Sequence, residues 1–383
     1  MQFPIDRFKG IDTPFYYYDL GLLRKTLDTI KACTASRPNF HVHYAVKANA
    51  NPRLLNIISG YGFGADCVSG GEIEACLAGG FPGKDIVFAG VGKSDREIKL
   101  GLRTGIHSFN VESLPELEVI DQHAGGLGVK ARVAFRVNPN VDAHTHKKIT
   151  TGLNENKFGI ALEDVNQAVQ RADELHNVEF VGLHFHIGSQ ILDLSVYETL
   201  CDTINNLCAS LSADGIVPQN INVGGGLGID YDQPDAHPVP DFKSYFDLFA
   251  RCLRLSEGQQ VHFELGRSVV AQCGTLIAST LYVKHGHEKS FVIVDAGFTD
   301  LVRPAMYGSH HFTQNISAAN APAAARYDVV GPICESSDVF STDEVLPVTR
   351  RGDLIAFRSA GAYGEAMAST YNCRQLPKSV YSE

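Results

Sequence analysis

Residues 41–60 read HVHYAVKANANPRLLNIISG, and this stretch decides how the rest of the chain is parsed. In its first seven residues His43, Ala45 and Lys47 fall on one face of an extended segment, with Val42, Tyr44 and Val46 on the other. Residues 52–60 then read as a helix, closed by Gly60. The same phrase recurs outward from here. Strand-like runs at 41–47, 62–66, 86–90, 107–110, 131–137, 178–186, 220–223 and 261–264 alternate with helix-like stretches such as 52–60, 71–80, 94–104, 162–172, 195–214 and 242–255. Ser94 opens the third of these as a helix-start residue would. Eight strands alternating with helices over roughly 230 residues match the count and size of an α/β (β/α)8 barrel. A doubly wound sheet alternates in the same way, so the pattern leaves closure open.

Past about residue 268 the rhythm changes. Segments 276–284, 290–295, 327–330 and 353–358 are strand-like, with few helix-length stretches between them, which predicts a β-rich C-terminal domain. Residues 15–19 also read as a strand, placed to join that sheet and tie the two ends of the chain together. The expected domains are therefore 20–267 for the barrel, and 1–19 with 268–383 for the β-rich part. The Ala-rich stretch 317–326 reads as a surface loop.

The chain has 383 residues, enough for two domains and a large core. Its net charge is −10 and no basic run interrupts it, which argues against nucleic acid as a partner. No apolar run approaches the ~18 residues of a membrane span. The opening MQFPIDRFKG lacks an apolar signal core. Nine dispersed cysteines without a CxxC pair read as reduced thiols, and together these features predict a cytoplasmic enzyme without a metal site.

Barrel enzymes place their chemistry at the C-terminal ends of the strands. Here those ends hold Lys47, Asp66, Asn110, His186, the glycines after Val223, and Glu264. A strand-end lysine can simply snorkel to water. A desolvated one becomes the neutral amine that attacks carbonyls, and the neighbouring strand ends favour that reading. Asn222-Val-Gly224-Gly225-Gly226-Leu-Gly228 offers bare backbone to a phosphate, or serves only as a flexible turn. Its spacing fits neither a dinucleotide fingerprint nor a P-loop, so a smaller phosphate is expected. In Glu264-Leu-Gly266-Arg267 the carboxylate suits a pyridine nitrogen and the guanidinium a carboxylate or phosphate, although the two could form a local ion pair. His184 and His186 share a strand face at a spacing that could bind metal, but no third ligand is evident. Stacking on an aromatic ring suits His186 better. The pairs His144/His146 and His310/His311 are expected in loops.

Taken together, Tyr44-Ala-Val-Lys47-Ala-Asn49, the stretch RVNPNVDAHTHKKITTGLNENKFGI, His186-Ile-Gly-Ser189-Gln190, the GGGLGI run and Glu264-x-Gly266-Arg267 resemble the fold-III, alanine-racemase-like pyridoxal-phosphate decarboxylases. Asp295-Ala-Gly, Arg303-Pro-Ala-Met-Tyr307, Cys334-Glu335-Ser336 and Gly361-Ala-Tyr363 extend the resemblance to about residue 371. The ENKFG and Cys-Glu-Ser stretches resemble the diaminopimelate branch in particular. The resemblance implies a pyridoxal 5'-phosphate enzyme that decarboxylates an amino acid, meso-diaminopimelate, to lysine. It also implies a homodimer with shared active sites.

By that resemblance Lys47 would hold the cofactor covalently, His186 would stack on it, and Asp66 would lie beside it. Ser189, Gly224, Gly225 and Gly226 would surround the phosphate, and Glu264 would meet the ring nitrogen. Gly266 and Arg267 would complete the cofactor site, with Tyr363 near both cofactor and substrate. Arg267, Arg303 and Tyr307 would hold substrate carboxylates. Cys334 would donate the proton and Glu335 would take the distal amine, both from the partner chain. Leu265 stands where the family more often has proline, and Phe298-Thr299 where Met-Asn is commoner. Rival readings are a decarboxylase of ornithine, arginine or carboxynorspermidine, a racemase, and a non-catalytic regulator. The presence of Lys47 and Cys334 speaks against the last.

Overall fold

Five helices of the barrel unit begin at a side chain that caps them. Ahead of the helix Pro52–Gly60, Asn51 accepts the Arg53 N–H and proline takes the first turn. Ser69 accepts the Glu72 N–H before Gly70–Ala78, and Ser94 with Glu97 closes a capping box before Asp95–Thr104. Ser113 and Asp241 do the same for Leu114–Leu127 and Phe242–Cys252. The Leu114–Leu127 helix is absent from the stretches named from sequence, although Ser113 and Pro115 announce it. The structure, a computed structural model, describes residues 3–141 and 157–382. Part of the 136–160 stretch, including His144 and His146, lies outside the described residues.

The strands between these helices are Phe40–Ala45, Gly64–Cys67, Ile86–Phe88, Ser108–Val111, Ala131–Asn138, Val178–His184, Asn220–Asn222 and Gln260–Leu265. Each pairs in parallel with the next, and the last pairs with the first, from Val261 opposite Phe40 to Leu265 opposite Tyr44. The sheet is therefore a closed barrel, and the doubly wound alternative is excluded. Four barrel strands stop short of their expected ends, those read as 86–90 and 220–223 at Phe88 and Asn222; the other two bear on the site. The first gives way after Ala45 to a 3-10 turn, Val46–Ala48, so Lys47 sits in a turn instead of on a strand. The sixth ends at His184, and His186 lies beyond it.

Two compact units emerge. One comprises Leu27–Gly228 with Asp241–Gly266; the other comprises the N-terminal segment to Thr26, Ile229–Pro240 and the chain from Arg267. In the barrel unit, Phe263 packs its ring against Phe40, Tyr245, Phe246 and Phe249 at centroid distances of 4.9–5.8 Å. This aromatic knot joins the closing strand to the Phe242–Cys252 helix. In the other unit Phe15–Tyr18 pairs antiparallel with Gly274–His285 and parallel with Lys378–Tyr381, so both ends of the chain enter one sheet. That sheet continues through Ser290–Val294, Ala325–Val330 and Val339–Leu346 on one side, and through Leu354–Phe357 and Thr313–Asn315 on the other. Its three members at 313–315, 339–346 and 378–381 were not read from sequence. They are short or half exposed, and lack the continuous apolar run of a buried strand.

Phe263 is fully buried, so Phe263→Ala should lower the unfolding free energy by about 3–5 kcal/mol. Val217→Ala, at an exposed position, should change it by no more than about 0.5 kcal/mol. Denaturant melts of the two variants check this contrast.

Candidate active site

At the C-terminal mouth of the barrel, the turn bearing Lys47 is held from both sides. Tyr44 donates its hydroxyl to the Asn49 carbonyl at 2.8 Å, and the Asn51 N–H donates to the Asn49 side chain at 2.9 Å. Gly266 passes close beneath: a Cβ there would lie 3.1 Å from the Cβ atoms of both Ala45 and Ala48. Lys47 Nζ is 3.9 Å from Asp66 Oδ2. The desolvation of Lys47 expected from sequence is not met, since its side chain keeps 36% exposure. Asp66 is the buried member of the pair, at 1% exposure, and among the described residues neither of its carboxyl oxygens has a hydrogen-bond partner. Burial, reinforced by the charge of Glu264 and only partly opposed by Lys47, pushes the Asp66 carboxyl well above its ordinary range.

Glu264 receives the opposite treatment. Its Oε2 lies 3.0 Å from His184 Nε2, and its Oε1 accepts from the side-chain amides of Asn222 at 2.8 Å and Asn110 at 3.4 Å. Three other strands thus converge on one buried carboxylate. Burial alone would raise this group, but His184, Lys47 and His186 outweigh it and hold Glu264 well below the usual carboxylate range. The bond to Glu264 also gives His184 a role other than metal ligand. Among the described residues no group of three or more candidate ligands forms a metal site.

The glycine run is tied to the same network. The Gly224 N–H donates to Asn222 Oδ1 at 2.9 Å, and the Glu264 N–H donates to the Gly224 carbonyl at 2.8 Å. Gly224 and Gly226 take φ of 72° and 104°, where side-chain-bearing residues are strained. A Cβ on Gly225 would lie 1.8 Å from the Glu264 carbonyl oxygen. The 188–191 loop is laced on by Ile191 N–H to Gly226 O and Gly228 N–H to Ile191 O, both 2.9 Å, bringing Ser189 to the glycines. His186 Nδ1 faces the Gly225 N–H at 3.4 Å. Burial, with Lys47 and Arg136 nearby, pushes the His186 imidazole well below its ordinary value and so keeps it neutral. The set fits pyridoxal phosphate: an amine in a fixed turn, bare backbone for a phosphate, a neutral imidazole face and an anionic carboxylate.

A second ring of bonds, missed in the sequence, braces this mouth. Arg136 pairs with Glu112 at 2.9 Å and lies 4.4 Å over the Phe158 ring. Glu112 also accepts the N–H groups of Gly90 and Gly159, while Lys93 spans Glu116 and the carbonyls of Gly90 and Asn110. These charges sit one strand end after another, a signal visible only once the strand order is known.

In the other unit, Arg267 and Arg303 are 4% and 6% exposed. The Arg267 guanidinium donates to the Tyr231 hydroxyl at 2.6 Å and lies 4.9 Å from the Tyr363 ring centroid. Arg303 lies 5.6–5.9 Å from the rings of Tyr231, Tyr307 and Tyr363 and donates to Ser309 Oγ at 3.1 Å. Tyr231 was not singled out from sequence and nothing local marks it. Cys334 and Glu335 stand on an exposed turn instead, where Glu335 accepts from the Tyr371 hydroxyl at 2.8 Å and the Cys334 N–H donates to Asn372 Oδ1 at 3.4 Å.

Comparison with known proteins agrees with this arrangement. The family model described as pyridoxal-dependent decarboxylase, pyridoxal binding domain, matches residues 22–271. Diaminopimelate decarboxylase of Bacteroides thetaiotaomicron is 58% identical over 381 residues, covering 100% of this chain and 98% of that protein. The Neisseria meningitidis enzyme of the same name is 41% identical, covering 99% of this chain and 92% of that protein. The crystal structure of diaminopimelate decarboxylase from Helicobacter pylori complexed with L-lysine superposes with a TM-score of 0.92 at 40% identity, covering 99% of this chain and 94% of that one. The lysine/ornithine decarboxylase of Vibrio vulnificus complexed with putrescine shares the fold at 22% identity and a TM-score of 0.85, over 98% of this chain and 96% of that one. With its amine, glycine cradle and anionic glutamate assembled at one barrel mouth, the chain belongs to the diaminopimelate decarboxylases, within the pyridoxal-dependent decarboxylase family.

Proposed function

We propose that this chain decarboxylates meso-diaminopimelate at its D-centre to give L-lysine and CO2, using pyridoxal 5'-phosphate. The observation that carries the reading is Glu264, a buried carboxylate kept ionised by converging donors at the mouth where Lys47 stands. When bound, the cofactor supplies an electron sink for the carbon that loses CO2. Lys47 would be the amine that holds the cofactor. Glu264 would stand as the anion toward its ring nitrogen, and His186 would offer a neutral imidazole face. Ser189 and the backbone of Gly224, Gly225 and Gly226 hold the phosphate. Arg267 and Arg303, fixed among Tyr231, Tyr307 and Tyr363, receive carboxylates.

In this reading Cys334 would be the proton donor to the substrate carbon and Glu335 would take the distal ammonium. Their exposed turn supports a role toward a second copy of the chain, and so a homodimer with shared sites. In this reading 20–267 is the cofactor domain and 1–19 with 268–383 the substrate and interface domain, except that residues 20–26, Ile229–Pro240 and Arg267 group with the second unit. Nine free cysteines suit the reducing cytoplasm, and no helix among the described residues is long and apolar enough to cross a membrane.

The decisive experiment is CO2 release from meso-diaminopimelate by the purified protein, with ornithine and arginine as competitors. Release from ornithine alone, or racemisation without CO2, would overturn the assignment. Lys47→Ala should abolish release, and borohydride should no longer fix pyridoxal phosphate to the chain; labelling of another lysine removes Lys47 from its role. Glu264→Gln should retain the cofactor yet lose turnover by about two orders of magnitude or more.

Mixing inactive Lys47→Ala with inactive Cys334→Ala under subunit exchange tests the shared site. About half the dimers are hybrids with one intact site each, so activity should recover to about a quarter of the parent level. With exchange verified, no recovery would place Cys334 in its own chain's site.

A further inference from the structure

The proposed reaction gives no task to His184, yet this ring makes the shortest hydrogen-bond contact to Glu264 Oε2. The imidazole is 1% exposed, and its other nitrogen, Nδ1, is buried with no partner. Among the described residues, Glu264 is thus the one group that fixes the ring by a hydrogen bond. A carboxylate has about four acceptor positions. Oε1 has two donors, Asn222 and Asn110, whereas Oε2 has His184 alone. The less occupied oxygen is therefore the one that His184 orients.

Asp66 supplies the second half of the argument. Asp66 and Glu264 are both buried at this mouth, where Glu112 is already paired with Arg136, and the charge of Glu264 raises Asp66. Among the described residues three side-chain donors serve Glu264, while none reaches Asp66 within hydrogen-bond distance. The titratable groups interacting with Glu264 are His184, His186, Lys47, Asp66, His43 on the neighbouring strand and Tyr245. Lys47 lies beside Asp66 at 3.9 Å and also favours charge on Glu264, so it does not by itself separate the two acids. Asn222 and Asn110 are neutral amides. His184 is the titratable group hydrogen-bonded to one carboxylate and not to the other.

We infer that His184 is a positioning residue that directs the negative charge of the two buried carboxyls onto Glu264 and leaves the proton on Asp66. The site then presents an anion where a ring nitrogen is to be kept protonated, and a neutral acid beside Lys47. This deepens the proposed function and rests on its assignment of the cofactor pocket.

The first test needs neither cofactor nor substrate. Infrared spectra of wild-type apoprotein at neutral pH should show a protonated-carboxyl stretch that vanishes in Asp66→Asn and persists in Glu264→Gln. The second uses His184→Leu, which removes the donor, and His184→Gln, which keeps an N–H on a similar reach. With isotope-labelled pyridoxal phosphate bound, magnetic resonance of the ring nitrogen should read protonated in the wild type and in His184→Gln, and shifted toward neutral in His184→Leu. Turnover of His184→Leu should fall about 100-fold with KM within about threefold, and His184→Gln should recover most of it.

An apoprotein without the Asp66-dependent band overturns the inference, as does a His184→Leu variant with unchanged ring-nitrogen signal. Equal losses in both variants mean a packing role and also overturn it. Should His184→Leu fail to fold, the wild-type infrared band and the ring-nitrogen signal of His184→Gln decide. If wild-type protein fails to release CO2 from meso-diaminopimelate, the substrate assignment falls, while the infrared result still stands on its own.

Discussion

The parallel pairing of the last barrel strand with the first is the constraint on which the rest depends. Opposite partners run from Val261 and Phe40 to Leu265 and Tyr44, placing Glu264 beside His43. Two residues beyond Glu264, Gly266 fits against Ala45 and Ala48 and so supports the turn that carries Lys47. Because side chains alternate, a shift of one residue in this register would turn Glu264 away from the barrel interior. The aromatic knot around Phe263 makes such a shift costly, for it would move a fully buried ring off the four rings that enclose it. Packing on the outside of the barrel thus fixes chemistry on the inside.

Electrostatics at the mouth follows from the same closure. A carboxylate buried without donors gives up its charge, and a carboxylate with several donors keeps it. Asp66 and Glu264 are both sealed from water, and they differ in donors. The donors to Glu264 come from strands ending at His184, Asn222 and Val111, far apart in sequence, and the barrel brings them to one point. Asn222 extends the network by accepting the Gly224 N–H while donating to Glu264, so the glycine cradle and the carboxylate share one bridging amide.

This division also explains what was legible beforehand. Strand ends could be read because alternation and helix caps are local, and Lys47, Asp66, His186, the glycines and Glu264 lie at or just past those ends. Strand limits were off by one or two residues where ladder bonds gave way to turns, as at Val46–Ala48. The partner of His184 could not be read, because a histidine two residues from another on a strand looks the same whether it meets a metal or a carboxylate. Its meaning lies in the distance to a strand 80 residues away. Tyr231 was invisible for a similar reason: it sits in a segment that follows the glycine run in sequence yet belongs to the other compact unit.

The arginines show how structure separates support from function among identical side chains. Arg136 is neutralised by Glu112 at 2.9 Å, and Arg358 by Asp235 at 2.7 Å. Both are nearly sealed from water, and both have a carboxylate at hand, as a structural guanidinium requires. Arg303 is as well buried, but among the described residues its surroundings are tyrosine rings and a serine hydroxyl, with its Nε left without a partner. Aromatic faces stabilise a guanidinium without cancelling its charge. A buried cation kept in that state is costly to the fold; in the function proposed above it awaits a substrate carboxylate, whose arrival would supply the missing counter-charge. Under that proposal the motif Arg303-Pro-Ala-Met-Tyr307 acquires its sense from what, among the described residues, does not surround it: an acid at this place would satisfy the arginine and block the carboxylate.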